Sequence, residues 1–266
     1  MLRWPTMKDK VVVITGASSG IGAVLAGVIG ERGAKPVLAA RRERELGEAA
    51  RAAAPDALAV VTDATKRADV ESLVHAAIDR FGHIDVWVNN AGRGITRSVA
   101  ELTDEDFDEM MLVNVKSALY GMQAVLPHFR ELGRGHIVNV SSMLGRVPFA
   151  PQRSAYSAAK HALNSLTANL RMELREPHPG IHVSVVHPGV VATEFGLNAL
   201  HGGVDSRQMP YAQSPEEVAA VIADVIERPR ADVYTRPGAE QMIIGYYSAE
   251  DMGHAETQPP FARPKP

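Results

Sequence analysis

Tyr156 and Lys160 stand four residues apart in the stretch Ser154–Lys160, and their side chains suit proton transfer. On a helix that spacing puts both on one face, a turn apart. An ammonium beside a phenol favours the phenolate and so lowers the phenol's pKa. A tyrosine so placed can exchange a proton near neutral pH, which a free phenol at about 10 does poorly. Chance produces Tyr-x-x-x-Lys in many helices, so the pair takes its meaning from what precedes it. Thr15–Gly22 reads Thr-Gly-Ala-Ser-Ser-Gly-Ile-Gly. The β-branched run Val11–Ile14 leads into it, and an amphipathic pattern (Ile21, Val24, Leu25, Val28, Ile29) leads out. Gly16, Gly20 and Gly22 let the backbone turn sharply and approach a pyrophosphate. The helix start offers it free N–H groups, and Ser18, Ser19 and Ile21 complete the loop. A dinucleotide loop joined to a proton-exchanging tyrosine points to hydride transfer.

A second apolar run, Val37–Ala40, ends in Arg41 and Arg42. A nucleotide fold that prefers NAD usually carries a carboxylate about here, accepting from the ribose hydroxyls. A carboxylate would repel a 2′-phosphate, whereas a guanidinium binds it through paired charge-assisted hydrogen bonds. NADP(H) is therefore expected over NAD(H), with Arg41 the first contact, Arg42 beside it and Ser18 a helper. The plainer alternative is that both arginines open a solvated helix. Asp63, just past the run Leu58–Val61, is a candidate for the adenine amino group. Asn90, Ala91 and Gly92 follow the run Ile84–Val88, at the sheet edge where cofactors lie, while Asn89 reads as structural.

These elements belong to a longer alternation. Apolar runs at Val11–Ile14, Val37–Ala40, Leu58–Val61, Ile84–Val88, His136–Val140, Ile181–Val186 and Ala231–Thr235 read as seven strands. Helical patterns separate them, among them a helix over 104–125 capped by Thr103, a long one over Ser154–Glu176, and one from Pro215. Such alternation predicts an α/β fold with a parallel sheet covered by helices on both faces. The acidic run from Asp104 to Glu109 reads as a solvated helix start. Residues 8–250 are expected to form one domain, with a proline-rich, loose tail over 251–266.

Composition limits the partners. Apolar residues make up 45% of the 266, enough for a large core. A net charge of −3 without a long basic run argues against nucleic acid. No apolar stretch nears the ~18 residues of a membrane helix, and residues 1–10 hold no leader-like apolar core, so a cytoplasmic protein without membrane insertion is expected. Cysteine is absent, which removes disulfides and thiolate chemistry. The ten histidines show no ligand spacing, so no metal is expected; His75, His128, His161 and His187 read as helical or loop residues.

Taken in order, Thr-Gly-x-x-x-Gly-x-Gly at 15–22, Asn-Asn-Ala-Gly at 89–92, Asn114, the serine pair 141–142, Tyr156-x-x-x-Lys160, and Pro188-Gly189 with Thr193 resemble the short-chain dehydrogenase/reductase family in its ordinary ~250-residue form. The resemblance covers roughly Lys10 to Phe195. It implies a single-domain, doubly wound Rossmann fold with a mostly parallel seven-stranded sheet. It also implies an oxidoreductase that interconverts a ketone or aldehyde and an alcohol on a small molecule. Tyr156 would be the acid/base, and Lys160 would hold the nicotinamide ribose and depress the tyrosine pKa. Ser142 would hydrogen-bond the substrate oxygen, with Ser141 the alternative hydroxyl, since the spacing to Tyr156 is one residue longer than usual. Asn114 would anchor a water linking Lys160 to solvent. Thr193 would hold the carboxamide, with Pro188, Gly189 and Val191 shaping the backbone around the ring. A homodimer or homotetramer through 104–125 and 154–176 follows from the same resemblance.

In that family the substrate lies beneath the segment after Thr193. Here Glu194–Gln213 mixes Phe195, Leu197, Leu200, Met209 and Tyr211 with glycines, which predicts a mobile lid with apolar contacts and a hydrophobic carbonyl or alcohol substrate. Leu144, Phe149 and Pro151 add apolar wall, and Arg93 and Arg153 either meet an anion or are surface charges. Three rivals stand beside this reading. One is an NADP(H)-binding regulator without turnover, which would not need both Tyr156 and Lys160. Another is an NAD(H)-preferring alcohol dehydrogenase of the same family. The third is an epimerase or dehydratase of the longer relatives, which carry more than the 73 residues found after Thr193.

Overall fold

The run Val11–Thr15 shows how the core is made. Val11 and Val13 point to one face of the sheet, Val12 and Ile14 to the other, and all four are fully buried. Burial on both faces is what a central strand of a parallel sheet requires, and it explains an unbroken apolar run without alternation. Each such side chain contributes on the order of 1.5–3 kcal/mol by leaving water.

The computed structural model describes residues 7–262. Residues 1–6, and Pro264 and Pro266 of the tail, lie outside them. In chain order the described elements are β1 (Val11–Thr15), α1 (Gly20–Glu31), β2 (Lys35–Ala40), α2 (Glu43–Ala53), β3 (Leu58–Val61), α3 (Arg67–Phe81), β4 (Val86–Asn89), α4 (Asp104–Met111), α5 (Ser117–Leu132), β5 (Gly135–Val140), α6 (Ser154–Leu174), β6 (Ile181–His187), α7 (Pro215–Glu227), β7 (Asp232–Tyr234), α8 (Ala239–Tyr247) and α9 (Met252–Ala255).

The seven strands form one sheet in the order β3-β2-β1-β4-β5-β6-β7, with every pairing parallel. Helices α1, α2 and α7 cover one face, and α3, α5 and α6 the other. This is the doubly wound α/β fold expected from the sequence. The chain leaves β1 towards β2 and β3, then returns to the other side of β1 to lay down β4. At that reversal the loops after β1 and β4 diverge and open a crevice at the carboxyl ends of the strands.

Three expectations need correcting. The helix over 104–125 is not continuous: α4 passes through a π-helical turn, Leu112–Lys116, into α5, which runs on to Leu132. A π-turn keeps the chain helical, so the sequence pattern over 104–125 reads as one helix, and such turns are frequent at functional sites. Asp106 is not solvated. It is 5% exposed, closes a capping box with Thr103 and receives Arg97 and His201. The tail is not wholly loose: α8 and α9 were not foreseen, Tyr246 donates to Glu256 at 2.8 Å, and Phe261 packs on Tyr246 with ring centroids 5.0 Å apart.

Candidate active site

The glycine loop spans the turn from β1 into α1. Gly16 adopts φ +68°, and a Cβ there would lie 2.8 Å from Ala91 Cα. A Cβ on Gly22 would meet Asn90 Nδ2 at 2.6 Å and the Gly16 carbonyl oxygen at 2.7 Å. Only glycine permits this approach of the β1 and β4 loops. Thr15 fastens them: its hydroxyl accepts from the amides of Asn90 and Ala91 at 3.1 and 3.2 Å, while Asn90 Nδ2 donates to the carbonyl oxygens of Thr15 and Gly16 at 3.0 and 3.2 Å. Asn90 is thus spent on the main chain. Asn89 accepts from Trp87 Nε1 and donates to Asn139, as a structural residue does. Ser19, at the N-cap of α1, makes no side-chain capping bond, so the first amides of α1 remain available to an anion.

Arg42 rather than Arg41 reaches back to this loop. Its Nη2 donates to Ser18 Oγ at 3.0 Å and Ser19 Oγ at 2.7 Å. Burial would raise the Asp63 carboxyl, but bonds from Thr65 and the charge of Arg41 hold it below the usual carboxylate range. Arg41, expected as the first contact beside Ser18, instead lines the cleft near Asp63, because which of the two adjacent arginines turns to the loop depends on the twist at the end of β2.

The second half of the site hangs on α6, whose first two turns carry Tyr156 and Lys160, both buried. Lys160 Nζ donates to the Val140 carbonyl oxygen at 3.0 Å and stands 5.6 Å from the centroid of the Tyr156 ring. Burial pulls the ammonium down to about 8. Burial also dominates at Tyr156, pushing the hydroxyl up to about 12 against a hydrogen bond with Ser142 and the charge of Arg153. Desolvation sets the direction at Tyr156, contrary to the expected lowering by Lys160, and Arg153 is the cation that acts on the phenol. Ser142 caps the short turn Met143–Gly145, accepting from Leu144 N at 3.1 Å, and lines the cleft together with Tyr156; Ser141 faces the Lys160 carbonyl oxygen instead.

Asn114 sits in the π-turn, 1% exposed. It donates to the carbonyl oxygens of Arg93 and Met110 at 2.9 and 3.1 Å, and accepts from Arg93 N at 3.2 Å. A Cβ on Gly92 would touch Asn114 Oδ1 at 2.9 Å and Lys160 Nζ at 3.7 Å, so the two side chains converge there. Thr193 faces Gly20 across the crevice, 3.4 Å from where a Cβ would stand.

A cleft of about 1790 Å³ joins these parts. It runs from the glycine loop and Arg42 to Phe149, Tyr211 and Phe261, and every proposed site residue lines it except Gly22 and Asn114, which lie behind its wall. The segment after Thr193 is strapped across it. Leu200 exchanges backbone bonds with Gly94 and Thr96, and Thr96 Oγ1 donates to Gly202 O at 2.6 Å. His201 Nε2 donates to Asp106 Oδ1 at 2.6 Å. His187, read from the sequence as a helical or loop residue, is instead the last residue of β6, wholly buried, with Nδ1 3.3 Å from the Ser142 carbonyl oxygen and Nε2 2.9 Å from Asp232. Its only signal was a strand-end histidine directly before Pro188-Gly189.

The short chain dehydrogenase family model matches residues 10–201. The chain belongs to the short-chain dehydrogenase family. An uncharacterized oxidoreductase of this kind, YxnA of Bacillus subtilis (strain 168), is 37% identical over 250 residues, covering 91% of this chain and 70% of that protein. A short-chain dehydrogenase/reductase from Burkholderia phymatum in complex with NAD superposes with a TM-score of 0.81 at 28% identity, over 92% of this chain and 94% of that one. An alcohol dehydrogenase from Thermococcus sibiricus complexed with 5-hydroxy-NADP gives 0.74 at 27% identity, over 85% and 95%. Short-chain dehydrogenases are nucleotide-binding oxidoreductases of Rossmann fold, and a nicotinamide cofactor fits the glycine-lined crevice described above. Among the described residues no helix is long and apolar enough to cross a membrane.

Proposed function

We propose that this short-chain dehydrogenase interconverts a ketone or aldehyde and an alcohol on a largely apolar small molecule, with NADP(H) as cofactor and Tyr156 as proton donor and acceptor. The observation that carries the reading is that Ser142, Tyr156 and Lys160 line one cleft with the glycine cradle. When bound, the nicotinamide supplies the hydride. Ser142 and Tyr156 hold the substrate oxygen between two hydroxyls and stabilise the charge that develops on it. With its hydroxyl pushed up to about 12, Tyr156 is fully protonated at neutral pH, which suits it to give a proton to a carbonyl oxygen. Lys160 is placed to hold the ribose, and Asn114 to tie the lysine to the π-turn. The alternation of Phe149, Phe195 and Tyr211 along the cleft supports an apolar substrate.

Relatives of this fold take NAD in one case and an NADP derivative in another. Arg42 favours the phosphorylated form here: among the described residues its guanidinium has no carboxylate partner, and it converges with Ser18 and Ser19 where a 2′-phosphate would lie. A depletion assay over a panel of carbonyl compounds, run with NADPH and with NADH, tests both parts. Turnover is expected with NADPH, falling about 10²–10⁴-fold in Tyr156→Phe. Turnover that survives in that variant removes Tyr156 from the chemistry, and equal rates with NADH remove the cofactor assignment.

A further inference from the structure

We propose that Arg153 is a substrate-binding residue that receives a carboxylate, so that the cleft selects oxo acids: molecules with an anionic end, a nearby carbonyl and an apolar body. The inference rests on the reductase reading above and deepens it.

Arg153 occupies the N-cap position of α6, three residues ahead of Tyr156, and lines the same cleft. Its guanidinium is seated rather than free. A Cβ on Gly94 would lie 3.1 Å from Nη1, and one on Gly203 would lie 3.1 Å from Nη2. The loop after β4 and the segment after Thr193 therefore both leave room for this one group. Nη1 donates to the Ile95 carbonyl oxygen at 3.0 Å. The remaining N–H groups of its five-donor fork have no acceptor among the described residues.

The other arginines at this end of the cleft are spoken for. Arg93 pairs with Glu109 at 3.4 Å, and Arg207 with Asp205 at 2.9 Å and Glu194 at 3.1 Å. Arg236 lies against Gly189 and donates to the Tyr211 carbonyl oxygen. Arg153 has no carboxylate within ion-pair reach among the described residues, although it is partly buried. Burial holds it below its ordinary value, and its charge acts on Tyr156, three residues further along α6.

A half-buried cation bonded to a single neutral acceptor keeps donors free for an anion that enters the cleft. The free edge of the guanidinium presents two parallel donors, which match a planar carboxylate. One positive charge suits a monoanion better than a phosphate dianion. Residues three apart on a helix lie about 5–6 Å from each other, so the carboxylate and the reacting carbonyl sit a few bonds apart. The ring of Phe195, 5.6 Å from that of Tyr156, closes the apolar side. Reduction then adds a hydride to the carbonyl carbon and a proton from Tyr156 to its oxygen, oxidises the nicotinamide, and leaves the carboxylate unchanged.

The test compares 4-oxo-4-phenylbutanoate with its methyl ester, using full-length protein and NADPH. The acid is expected to have the higher kcat/KM, mainly through KM. Arg153→Gln should collapse the acid-to-ester ratio by about 30-fold, the worth of a charge-assisted pair, and Arg153→Lys should keep part of it. A merely structural role, in which Arg153 only holds Gly94 and Gly203 together, lowers both substrates alike and leaves the ratio; that outcome overturns the proposal. Calorimetric titration of 4-phenylbutanoate, which has no carbonyl, reads binding without turnover. It should bind wild type and Tyr156→Phe equally and Arg153→Gln weakly. Absence of binding to wild type refutes the carboxylate site, whereas binding without turnover of either substrate refutes the reductase reading instead.

Discussion

Around the glycine loop the wall of the cleft is main chain pressed on main chain, whereas at the opposite end it is side chains carried on strapped loops. Gly16 and Gly22 bring the β1 and β4 loops within contact, and Thr15 and Asn90 bind them through four hydrogen bonds of 3.0–3.2 Å. Nothing there can be exchanged without moving backbone. At the substrate end Phe149, Phe195, Tyr211 and Phe261 stand on loops and turns, and Phe195 and Tyr211 are exposed. The first end presents a geometry common to any dinucleotide, and the second is free to vary with the substrate. Between them lies a floor, Ser142, Tyr156 and Lys160, fixed by β5 and α6.

The largest expected effect belongs to that floor. Lys160 is held at about 8 against an ordinary 10.5, so folding disfavours its charged form by about 3 kcal/mol. Between pH 8 and 10.5 the unfolded chain keeps a proton that the native protein has lost, so stability rises with pH across this window. Lys160→Met should lose nearly all turnover, be no less stable than wild type at pH 7, and lack that rise. Denaturation of both proteins across the window isolates the contribution. A wild-type curve parallel to that of the variant would show that the lysine is not strained by burial.

Next comes the backbone end. Gly22→Ala places a methyl against Asn90 and the Gly16 carbonyl, and neither can retreat without opening the β1–β4 crevice. NADPH binding should weaken about 10- to 100-fold, corresponding to overpacking on the order of 1–3 kcal/mol. Fluorescence titration reads it, and an unchanged dissociation constant would mean that the glycine contact has no bearing on the cofactor.

The same contrast explains what the sequence disclosed. Val11–Ile14 and the strands β2, β4, β5 and β6 are buried almost throughout, so each was legible from its apolar run; the edge strands β3 and β7 are partly exposed, and the glycine spacing marked the crevice because backbone geometry demands glycine there. Tyr156 and Lys160 were legible because helix periodicity fixes their relation. Side-chain choices at loop ends were not. Whether Arg41 or Arg42 turns to Ser18 depends on strand twist. Asp106 looks like one charge among five in Asp104–Glu109 until His201, 95 residues away, is brought to it. The π-turn at Asn114 reads as continuous helix, and the balance at Tyr156 required knowing how deeply the phenol is buried.

The smallest effect tests the strapped end. His201, held at φ +63°, donates from Nε2 to Asp106 Oδ1, while Arg97 Nη2 donates to its Nδ1 at 3.2 Å. Both partners are satisfied only by the ring with its proton on Nε2. Asp106 keeps its capping box and Arg97 without the histidine, and Leu200 keeps its backbone bonds to the 94–96 loop. His201→Ala therefore loosens the strap without releasing it, at a cost of about 1 kcal/mol, as for a partly exposed hydrogen bond. The KM for a carbonyl substrate should rise up to about 5-fold while the NADPH dissociation constant stays put. If both constants shift together, the strap and the glycine cradle move as one body, and the distinction between a fixed cofactor end and an adjustable substrate end fails.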